Sequence, residues 1–380
     1  MPRRVLIGAG SIVELPAEIL RLKSDRVLVV TDKYLSATEM FRKILQNLQT
    51  KAIEPTVFEG VQPDPTLENV EKGLELLRNR QVQTVVAIGG GSSLDCGKAI
   101  CCLANNSPPL STYAGYHKIP NPGLPMIAIP TTSGTGSEAT RVAVITDSVI
   151  NVKMMILDDY MLPATSIVDY ELALSMPAAL TAHVGIDTLT HAIEAYVSKK
   201  ANPLTDPIAL SCVRLVSKYL HRAWSDPEDR EARQGMAMAA CQGGMACSNS
   251  SVCLVHGMSR PVGAVFHVRH GLSNAVLLPT VTKFSVSGAV ARYAEVARNM
   301  NLAEINEPDG MAASRLPNGL EDLNGKLGIP RLGALHQVDA ESLEHNLRKM
   351  ANDALASGSP ANNPVVPSTD EIVELYRAAY

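Results

Sequence analysis

Histidine and carboxylate side chains gather in two short segments of the C-terminal half of the chain. In the first, Asp187 and His191 stand four residues apart in a segment of helical composition, so their Cβ atoms lie about 5–6 Å apart on one helix face. In the second, three of the nine histidines, His256, His267 and His270, fall within 15 residues of otherwise apolar sequence. One carboxylate and several imidazoles in apolar surroundings predict a shared divalent metal ion, and both iron(II) and zinc(II) suit these donors.

Glu194 follows His191 by one turn of the same predicted helix. It could support a metal ligand from behind, as carboxylates near metal sites often do. It could also be an ordinary glutamate on the helix surface, where most glutamates are found. The sequence alone favours the surface position.

Two glycine-rich loops follow predicted strands in the N-terminal half. The segment GGGSSLD at 89–95 leads from a strand into a helix, so its N–H groups and the helix dipole could bind a pyrophosphate. It is neither the common dinucleotide fingerprint, because Leu94 replaces a glycine, nor a P-loop, because Lys98 is wrongly spaced. The segment PTTSGTGSEA at 130–139 adds hydroxyl groups that could donate to phosphate, ribose or amide groups. A tight turn without a ligand remains the alternative for a single loop, and the presence of two favours a cofactor.

Asp32 directly follows the predicted strand Arg26–Thr31. A carboxylate at such a position can accept hydrogen bonds from the adenosine ribose and would repel a 2′-phosphate, which favours NAD over NADP. Capping of the helix that follows is an equally good explanation on local sequence.

The composition excludes several classes of protein. Thirty-four basic and 38 acidic residues leave a net charge of -4, and aromatic residues make up only 4%, so no nucleic-acid surface is predicted. No apolar run approaches the roughly 18 residues of a membrane span, and the apolar stretch at the N-terminus is too short for a secretion signal. The seven cysteines are odd in number and form no CxxC pair, which is typical of reduced thiols in the cytoplasm.

The elements that must position these residues change character near residue 176. Before it, short β-branched runs alternate with helical patterns, which predicts βαβ units and a mostly parallel sheet with ligands beyond the strands' carboxyl ends. From Pro177 onward nearly every segment has a helical pattern. We therefore predict an α/β domain over 1–176, an all-helical domain over 177–380 and a ligand cleft between them. The predicted strands are Arg26–Thr31, Thr56–Phe58, Thr84–Ile88, Met126–Ile129, Val142–Thr146 and Ser166–Val168.

Four motifs, taken in order, resemble the iron-containing (group III) alcohol dehydrogenase family, a relative of glycerol dehydrogenase and dehydroquinate synthase. They are GGGSSLD at 89–95, PTTSGTGSE at 130–138, GIDTLTHAIEAY at 185–196 and HGMSRPVGA…HG within 256–271. The segments GAGSIVELP, VTDKYL and QPDPT also match, so the resemblance extends over nearly the whole chain. It implies a dinucleotide-binding α/β domain with a mostly parallel sheet, followed by an all-α metal-binding domain in the dehydroquinate synthase-like fold.

The resemblance also implies which residues form the site. The implied metal ligands are Asp187, His191, His256 and His270. The implied cofactor contacts are Asp32, Gly90, Gly91, Ser92, Asp95, Thr131, Thr132, Ser137 and Lys153. Among these, Asp32 matches the family aspartate associated with NAD rather than NADP.

Two positions depart from the pattern of the family. Many members have a histidine four residues after the third metal ligand, where this chain has Arg260, and a proline before the last ligand, where it has Arg269. The usual histidine proton relay therefore cannot be transferred, and His267 is the candidate to replace it. Arg260 could bind an anionic group of the substrate, since a guanidinium matches carboxylate, sulfonate or phosphonate, or it could pair with a local acid or the cofactor phosphate.

The implied activity is hydride transfer between NAD(H) and a short-chain primary alcohol or its aldehyde, including one that bears an anionic group. Iron(II) is the expected metal and zinc(II) the alternative. A dehydroquinate synthase-like lyase or cyclase, in which NAD cycles internally, and a glycerol dehydrogenase-type polyol oxidoreductase use the same scaffold. A metallohydrolase would have no use for two phosphate-type loops. We expect a cytoplasmic homodimer with no nucleic-acid or membrane partner.

Overall fold

The computed structural model describes residues 1–148 and 152–380 and divides them between two compact units, Met1–Ser175 and Met176–Tyr380. The strands of the first unit are β1 (Arg4–Ile7), β2 (Arg26–Asp32), β3 (Glu54–Val61), β4 (Thr84–Gly89), β5 (Gly115–Tyr116), β6 (Met126–Pro130), β7 (Val142–Asp147), β8 (Val152–Leu157) and β9 (Thr165–Val168). Its helices are α1 (Leu15–Arg21), α2 (Lys33–Ser36), α3 (Glu39–Thr50), α4 (Leu67–Asn79) and α5 (Gly91–Asn105).

The main sheet of the first unit is parallel throughout, with the strand order β1-β9-β6-β4-β2-β3. Its central strands are apolar at successive positions because both faces are covered. Leu28 and Val30 of β2 pack with residues of α4 and α5, whereas Val27 and Val29 pack with residues of α1 and α3. The predicted parallel α/β architecture is confirmed.

One predicted strand, Val142–Thr146, lies outside the main sheet. It forms β7, which pairs antiparallel with β8 in a second sheet of order β5-β8-β7. The burial of β7 alternates along the strand instead of being continuous. That alternation is typical of an antiparallel strand with one covered face, and it distinguishes β7 from the central strands.

Both glycine-rich loops begin at the same edge of the main sheet. β4 and β6 run side by side, and the last residue pair of their ladder is Gly89 with Pro130. Because the strands are parallel, the loop that leads into α5 and the loop that follows Pro130 leave the sheet together at its carboxyl edge.

The second unit consists of helices among its described residues. They are α6 (Ala178–Val197), α7 (Asp206–Ser225), α8 (Arg230–Asn249), α9 (Leu254–Phe266), α10 (His270–Ser285), α11 (Val290–Asn299), α12 (Asp309–Lys326), α13 (Ala340–Ala356) and α14 (Thr369–Ala379). α6 packs against α7, α8 and α10 and is buried almost completely from Gly185 to Val197. A helix covered on all sides must hold its polar residues in specific contacts. None of the described helices is long and apolar enough to span a bilayer.

Candidate metal centre and cofactor loops

Three side chains from three helices of the second unit converge on one point. Asp187 comes from the middle of α6, His256 from the first turn of α9, and His270 from the start of α10. Asp187 Oδ1 lies 3.6 Å from His256 Nε2 and 3.7 Å from His270 Nε2. Ligand atoms around one tetrahedral ion stand about 3.4 Å apart, given bonds of about 2.1 Å. The donors of this triad, all within 4.8 Å of one another, could therefore hold a metal ion.

His191, the remaining implied ligand, lies beside the triad. Its ring stacks on that of His256, with 4.5 Å between centroids and 29° between planes. Its Nδ1 is buried and has no hydrogen-bond partner among the described residues. The structure thus brings three of the four implied ligands together, and the imidazole of the fourth, His191, stacks beside them.

Glu194 supports His256 from behind, and its expected surface position is wrong. Its carboxylate is buried and accepts a hydrogen bond from His256 Nδ1 at 2.7 Å. It also accepts from the backbone N–H groups of Cys253 at 2.8 Å and Val255 at 2.6 Å, which belong to the start of α9. In the neutral ring, a proton held on Nδ1 by Glu194 leaves the lone pair on Nε2, the atom that faces Asp187.

Burial and charge act together on the ionisation of the centre. Burial alone would raise the pKa of Asp187, but the rings of His191, His270 and His256 hold it well below its usual range. Burial lowers the pKa of His191 to about 4. Desolvation at the centre lowers the pKa of His270 as well, although 42% of its side chain is exposed. For His256, burial is outweighed by Asp187 and Glu194, which raise its pKa to about 9. A charged carboxylate and neutral imidazoles are the forms that bind a metal, so His256 must release a proton when a cation binds.

Asn274 is a polar member of the centre that the sequence analysis missed. It lies on α10 one turn after His270, and its amide nitrogen is 2.6 Å from Asp187 Oδ1. The same nitrogen is 3.2 Å from Nε2 of both His256 and His270. The four-residue spacing from His270 is a signal that could have identified it.

The His-Gly pair at the start of α10 has a steric reason. A Cβ at position 271 would lie 2.7 Å from the carbonyl oxygen of His183 on α6. Gly271 therefore lets α10 begin directly against the backbone of α6. This close approach brings His270 next to Asp187.

Three basic residues that the sequence analysis singled out lie on or next to α9 and α10. His267 ends α9 in a left-handed conformation (φ 55°, ψ 26°) and is exposed. Arg260, one turn after His256, donates from Nη1 to Ser359 Oγ at 3.1 Å. Arg269 is exposed immediately before α10. The proton-relay role of His267 and the anion-binding role of Arg260 stay predictions.

The two cofactor loops of the first unit pack against each other. Gly89 has φ +151°, and a Cβ there would lie 2.5 Å from Ser93 Oγ, so only glycine fits this turn. A Cβ on Gly91 would lie 2.9 Å from Cγ2 of Thr135 in the second loop. The backbone N–H of Thr131 donates to the carbonyl of Gly89 at 2.9 Å. α5 then begins at Gly91 with its N-terminal N–H groups at this edge.

A buried network ties Asp95 of the first loop to Ser137 of the second. Asp95 accepts hydrogen bonds from Ser137 Oγ at 2.6 Å and from the Val144 backbone N–H at 2.9 Å. Lys98 is buried and donates from Nζ to Ser137 Oγ at 2.8 Å and Thr140 Oγ1 at 3.1 Å. Asp95 and Ser137 thus contact each other, and their direct contact with a cofactor stays a prediction.

Asp32 and Lys153 lie in contacts of their own. Asp32 Oδ1 accepts from the Leu35 backbone N–H at 2.9 Å and so caps α2. Its other carboxylate oxygen faces Gly89, since a Cβ built there would lie 3.9 Å from it. Lys153 forms an ion pair with Asp64 at 2.7 Å. Capping by Asp32 is therefore observed, and it leaves the second oxygen beside the first glycine-rich loop.

Family profiles match both halves of the chain. The profile described as iron-containing alcohol dehydrogenase matches residues 2–170, and that of the C-terminal part of the Fe-containing alcohol dehydrogenase family matches residues 181–380. The chain belongs to the iron-containing alcohol dehydrogenase family. The resemblance inferred from the four motifs is confirmed.

Individual members of the iron-containing alcohol dehydrogenase family are similar over the whole chain. Alcohol dehydrogenase 4 of Schizosaccharomyces pombe is 36% identical, with 100% of this chain and 88% of that protein covered. The NAD-dependent methanol dehydrogenase of Bacillus methanolicus is 35% identical, covering 100% and 98%. The crystal structure of a 1,3-propanediol oxidoreductase superposes with a TM-score of 0.96 at 36% identity, again covering 100% and 98%.

Membership in this alcohol dehydrogenase family defines the class of reaction. The protein is a metal-dependent oxidoreductase that acts on alcohols with a nicotinamide cofactor, as predicted. The donor set of Asp187, His256 and His270 is consistent with a divalent metal. The lyase and hydrolase alternatives have no support among these relatives.

Proposed function

We propose that this iron-containing alcohol dehydrogenase transfers a hydride between NAD(H) and a short-chain primary alcohol or its aldehyde. The observation that carries the proposal is the convergence of the Asp187 carboxylate and the His256 and His270 imidazoles on one point. Relatives of similar length that are named for methanol and 1,3-propanediol support a small primary alcohol.

The proposed metal ligands are Asp187, His191, His256 and His270. Iron(II) is the proposed metal, with zinc(II) as the alternative that the same donors allow. When bound, such a cation supplies Lewis acidity toward the oxygen of the alcohol or aldehyde. Glu194 holds His256 in the orientation that presents Nε2 to the centre.

The proposed cofactor site is the carboxyl edge shared by β4 and β6. The N-terminus of α5 would bind the pyrophosphate. The residues proposed to contact the cofactor are Asp32, Gly90, Gly91, Ser92, Asp95, Thr131, Thr132, Ser137 and Lys153. The oxygen of Asp32 that faces Gly89 supports a preference for NAD, because a carboxylate there would repel a 2′-phosphate.

Oxidation of the alcohol releases a proton from its hydroxyl group while the carbon-bound hydrogen leaves as hydride. His267 remains the proposed acceptor for that proton, and Arg260 the residue that occupies the usual relay position. If His267 accepts the proton, its removal should change how the oxidation rate depends on pH. A pH–rate profile of His267→Ala that matches the original protein would remove His267 from this role.

A second candidate substrate is an alcohol that carries an anionic group. Arg260 follows His256 by one helical turn, and its positive charge adds to burial in lowering the pKa of His270. A guanidinium so close to a ligand imidazole could bind a carboxylate or sulfonate at the far end of a short substrate.

Both candidates are tested by NADH formation after metal removal and addition of iron(II), zinc(II) or no metal. The substrates are ethanol, 1-propanol, 1,3-propanediol, glycerol, 4-hydroxybutyrate and 2-hydroxyethanesulfonate. Metal-dependent turnover of the neutral primary alcohols supports the first candidate, and turnover of the anionic alcohols alone supports the second. No NADH from any of these alcohols, despite NAD binding, would contradict both.

We further propose that the enzyme is a homodimer in the cytoplasm. None of the seven cysteines, which all lie among the described residues, forms a disulfide in the structure, and six of them are buried, which supports a reducing compartment. Sedimentation of the purified protein tests the dimer.

A further inference from the structure

The turn between β3 and α4 lies at the same edge of the main sheet as the two cofactor loops. β3 ends at Val61, which pairs with Asp32 at the end of β2. Because the sheet is parallel, the turn over residues 62–66 leaves it at the carboxyl edge, where the glycine-rich loops also begin. The turn, QPDPT in sequence, thus places a carboxylate, that of Asp64, at the edge proposed to bind the cofactor.

The backbone of Asp64 is held in an unfavourable conformation. Its φ is +54°, a value that side chains rarely adopt, and the ring of Pro65 favours an extended backbone at the residue before it. The carbonyl of Pro65 accepts a hydrogen bond from the backbone N–H of Thr146 on β7 at 2.7 Å, and Thr66 forms a parallel bridge with the same residue. Contacts of this kind hold a strained residue in place, and strained residues concentrate at ligand-binding sites.

The second sheet links this turn to the first glycine-rich loop. Val144 of β7 donates its backbone N–H to Asp95 of that loop at 2.9 Å, and Thr146, two residues further on, pairs with Lys153 of β8. Lys153 donates from Nζ to Asp64 Oδ1 at 2.7 Å, and its side chain is only 21% exposed. The ion pair therefore joins β8 to the 62–66 turn at the same row where the backbone joins β7 to it.

We infer that Asp64 is a positioning residue for Lys153 in cofactor binding. The side chain of a lysine is long and flexible, so fixing it before the cofactor arrives reduces the entropy that is lost on binding. An ammonium has three N–H donors, and Asp64 takes one of them, so the same ammonium can also donate to an oxygen atom of NAD. The inference rests on the cofactor contact of Lys153 in the proposed function, but not on the identity of the metal or the alcohol.

Calorimetric titration of the full-length protein with NAD, in the absence of alcohol, tests this inference. The first variant is Asp64→Gly, because glycine removes the carboxylate and still adopts a positive φ without strain. We expect its dissociation constant for NAD to be about 3–10-fold higher than that of the original protein, since one long side chain must then be ordered on binding. Asp64→Asn, whose side-chain oxygen can still accept from Lys153, should stay within about twofold of the original protein.

The matched control is Asp159→Gly, which removes the carboxylate of another ion pair in the same unit. Asp159 is similarly exposed and accepts from Arg141 Nη1 over the same distance of 2.7 Å. Its removal should leave the affinity for NAD within about twofold. An equal loss of affinity in Asp64→Gly and Asp159→Gly would overturn the inference, because it would indicate a general effect of charge or stability.

A double-mutant cycle with Lys153→Met distinguishes positioning from a general loosening of the turn. Lys153→Met should weaken NAD binding about tenfold or more, because a charge-assisted hydrogen bond to the cofactor is lost. In the Lys153→Met background, Asp64→Gly should change the affinity by no more than about twofold, since Asp64 then has no ammonium to hold.

Two further results would overturn the inference. One is an affinity for NAD that stays equal or rises in Asp64→Gly while Lys153→Met weakens binding. The other is the same loss of affinity from Asp64→Gly with and without Lys153, which would mean that Asp64 acts through the turn or contacts NAD itself. Unchanged affinity in Lys153→Met, by contrast, would contradict the proposed cofactor contact of Lys153 and this inference with it.

Discussion

The two units of the molecule contain buried polar networks of opposite character. In the first unit, the ammonium of Lys98 donates to two hydroxyls and a carbonyl, and Asp95 accepts from Ser137 and a backbone N–H. In the second unit, once both imidazoles are in the neutral forms that bind a metal, they and Asp187 present three acceptors to the single amide nitrogen of Asn274. Donors and acceptors are thus matched in the first network and mismatched in the second.

This difference indicates what each network is for. A network in which every member has its partner holds chain segments together, here the two glycine-rich loops. A network in which acceptors outnumber donors is incomplete without a cation. Buried charge alone therefore does not identify a binding site, whereas the balance of donors and acceptors does. Substitutions in one network, with metal content and thermal stability as readouts, test this difference.

Removal of a triad imidazole should have the largest effect. We expect His256→Ala to lose bound metal and to lower kcat/KM for alcohol oxidation about a thousandfold or more, since a Lewis acid supplies several kcal/mol. Metal content and turnover are measured on the same sample. His345→Ala, which alters an exposed histidine on α13 of the same unit, should leave both unchanged. A His256→Ala variant that turns over normally without bound metal would exclude this centre from catalysis.

Disruption of the matched network should affect stability rather than metal content. We expect Lys98→Met to destabilise the protein by about 3 kcal/mol, because Asp95 stays buried without its cation and three acceptors lose a donor. Thermal unfolding and metal content provide the two readouts, and NAD affinity should fall as the loops loosen. Lys72→Met, at an exposed ion pair with Glu68, should cost about 0.5 kcal/mol or less. Loss of metal in Lys98→Met would argue against the independence of the two networks.

Removing the charge of Glu194, which binds His256 Nδ1, should have an intermediate effect on metal binding. We expect Glu194→Gln to weaken metal binding about 10–100-fold, since the amide keeps the shape but loses the charge that holds Nδ1–H. The exposed Glu321→Gln on α12 serves as the control and should bind metal normally. Equal metal affinity in both variants would mean that the charge of Glu194 contributes nothing to the centre.

Substitution of Glu138 should have the smallest effect, a change in folding stability that depends on pH. Burial raises the pKa of Glu138 to about 7, although the charge of Lys98 partly opposes this shift. The folded protein thus retains a proton that the unfolded chain releases near its usual value of 4.5, so this contribution to stability is lost as pH rises toward 7 and above. Glu138→Gln should gain about 1–3 kcal/mol relative to the original protein between pH 5 and 8.

Melting temperatures at the two pH values test the prediction for Glu138. Glu59→Gln, an exposed change in the same unit, is the control and should follow the original protein at both values. Parallel melting curves for Glu138→Gln and the original protein would show that the carboxyl is already ionised at pH 5.

The sequence was sufficient for the central strands and for three side chains that converge in the second unit. Runs such as Thr84–Ile88 are apolar at every position, and this pattern indicates a strand covered on both faces. Ionisable residues in apolar surroundings, such as His256, likewise indicate that they have partners. The family motifs added the identity of the cofactor loops, which glycine spacing alone left open.

Other features depend on contacts between distant residues, which the spacing of residues along the sequence does not indicate. β8 was not predicted, and β7 was assigned to no separate sheet, because antiparallel pairing in a small sheet has no distinct signature in short runs. Glu194 was placed on a surface because its partners, Cys253 and Val255, lie about 60 residues further along the chain. Asn274 was overlooked because a lone asparagine on an apolar helix has no charge to signal its role.

The carboxylate of Glu194 joins the metal centre to the backbone of α9. It accepts from the amide protons of Cys253 and Val255 and at the same time from His256. Any change in how tightly His256 is held is therefore transmitted to the first turn of the helix. Deuterium uptake at these two amides should slow when metal binds. Hydrogen exchange at the start of α9 therefore reports whether the metal centre is occupied, independently of turnover.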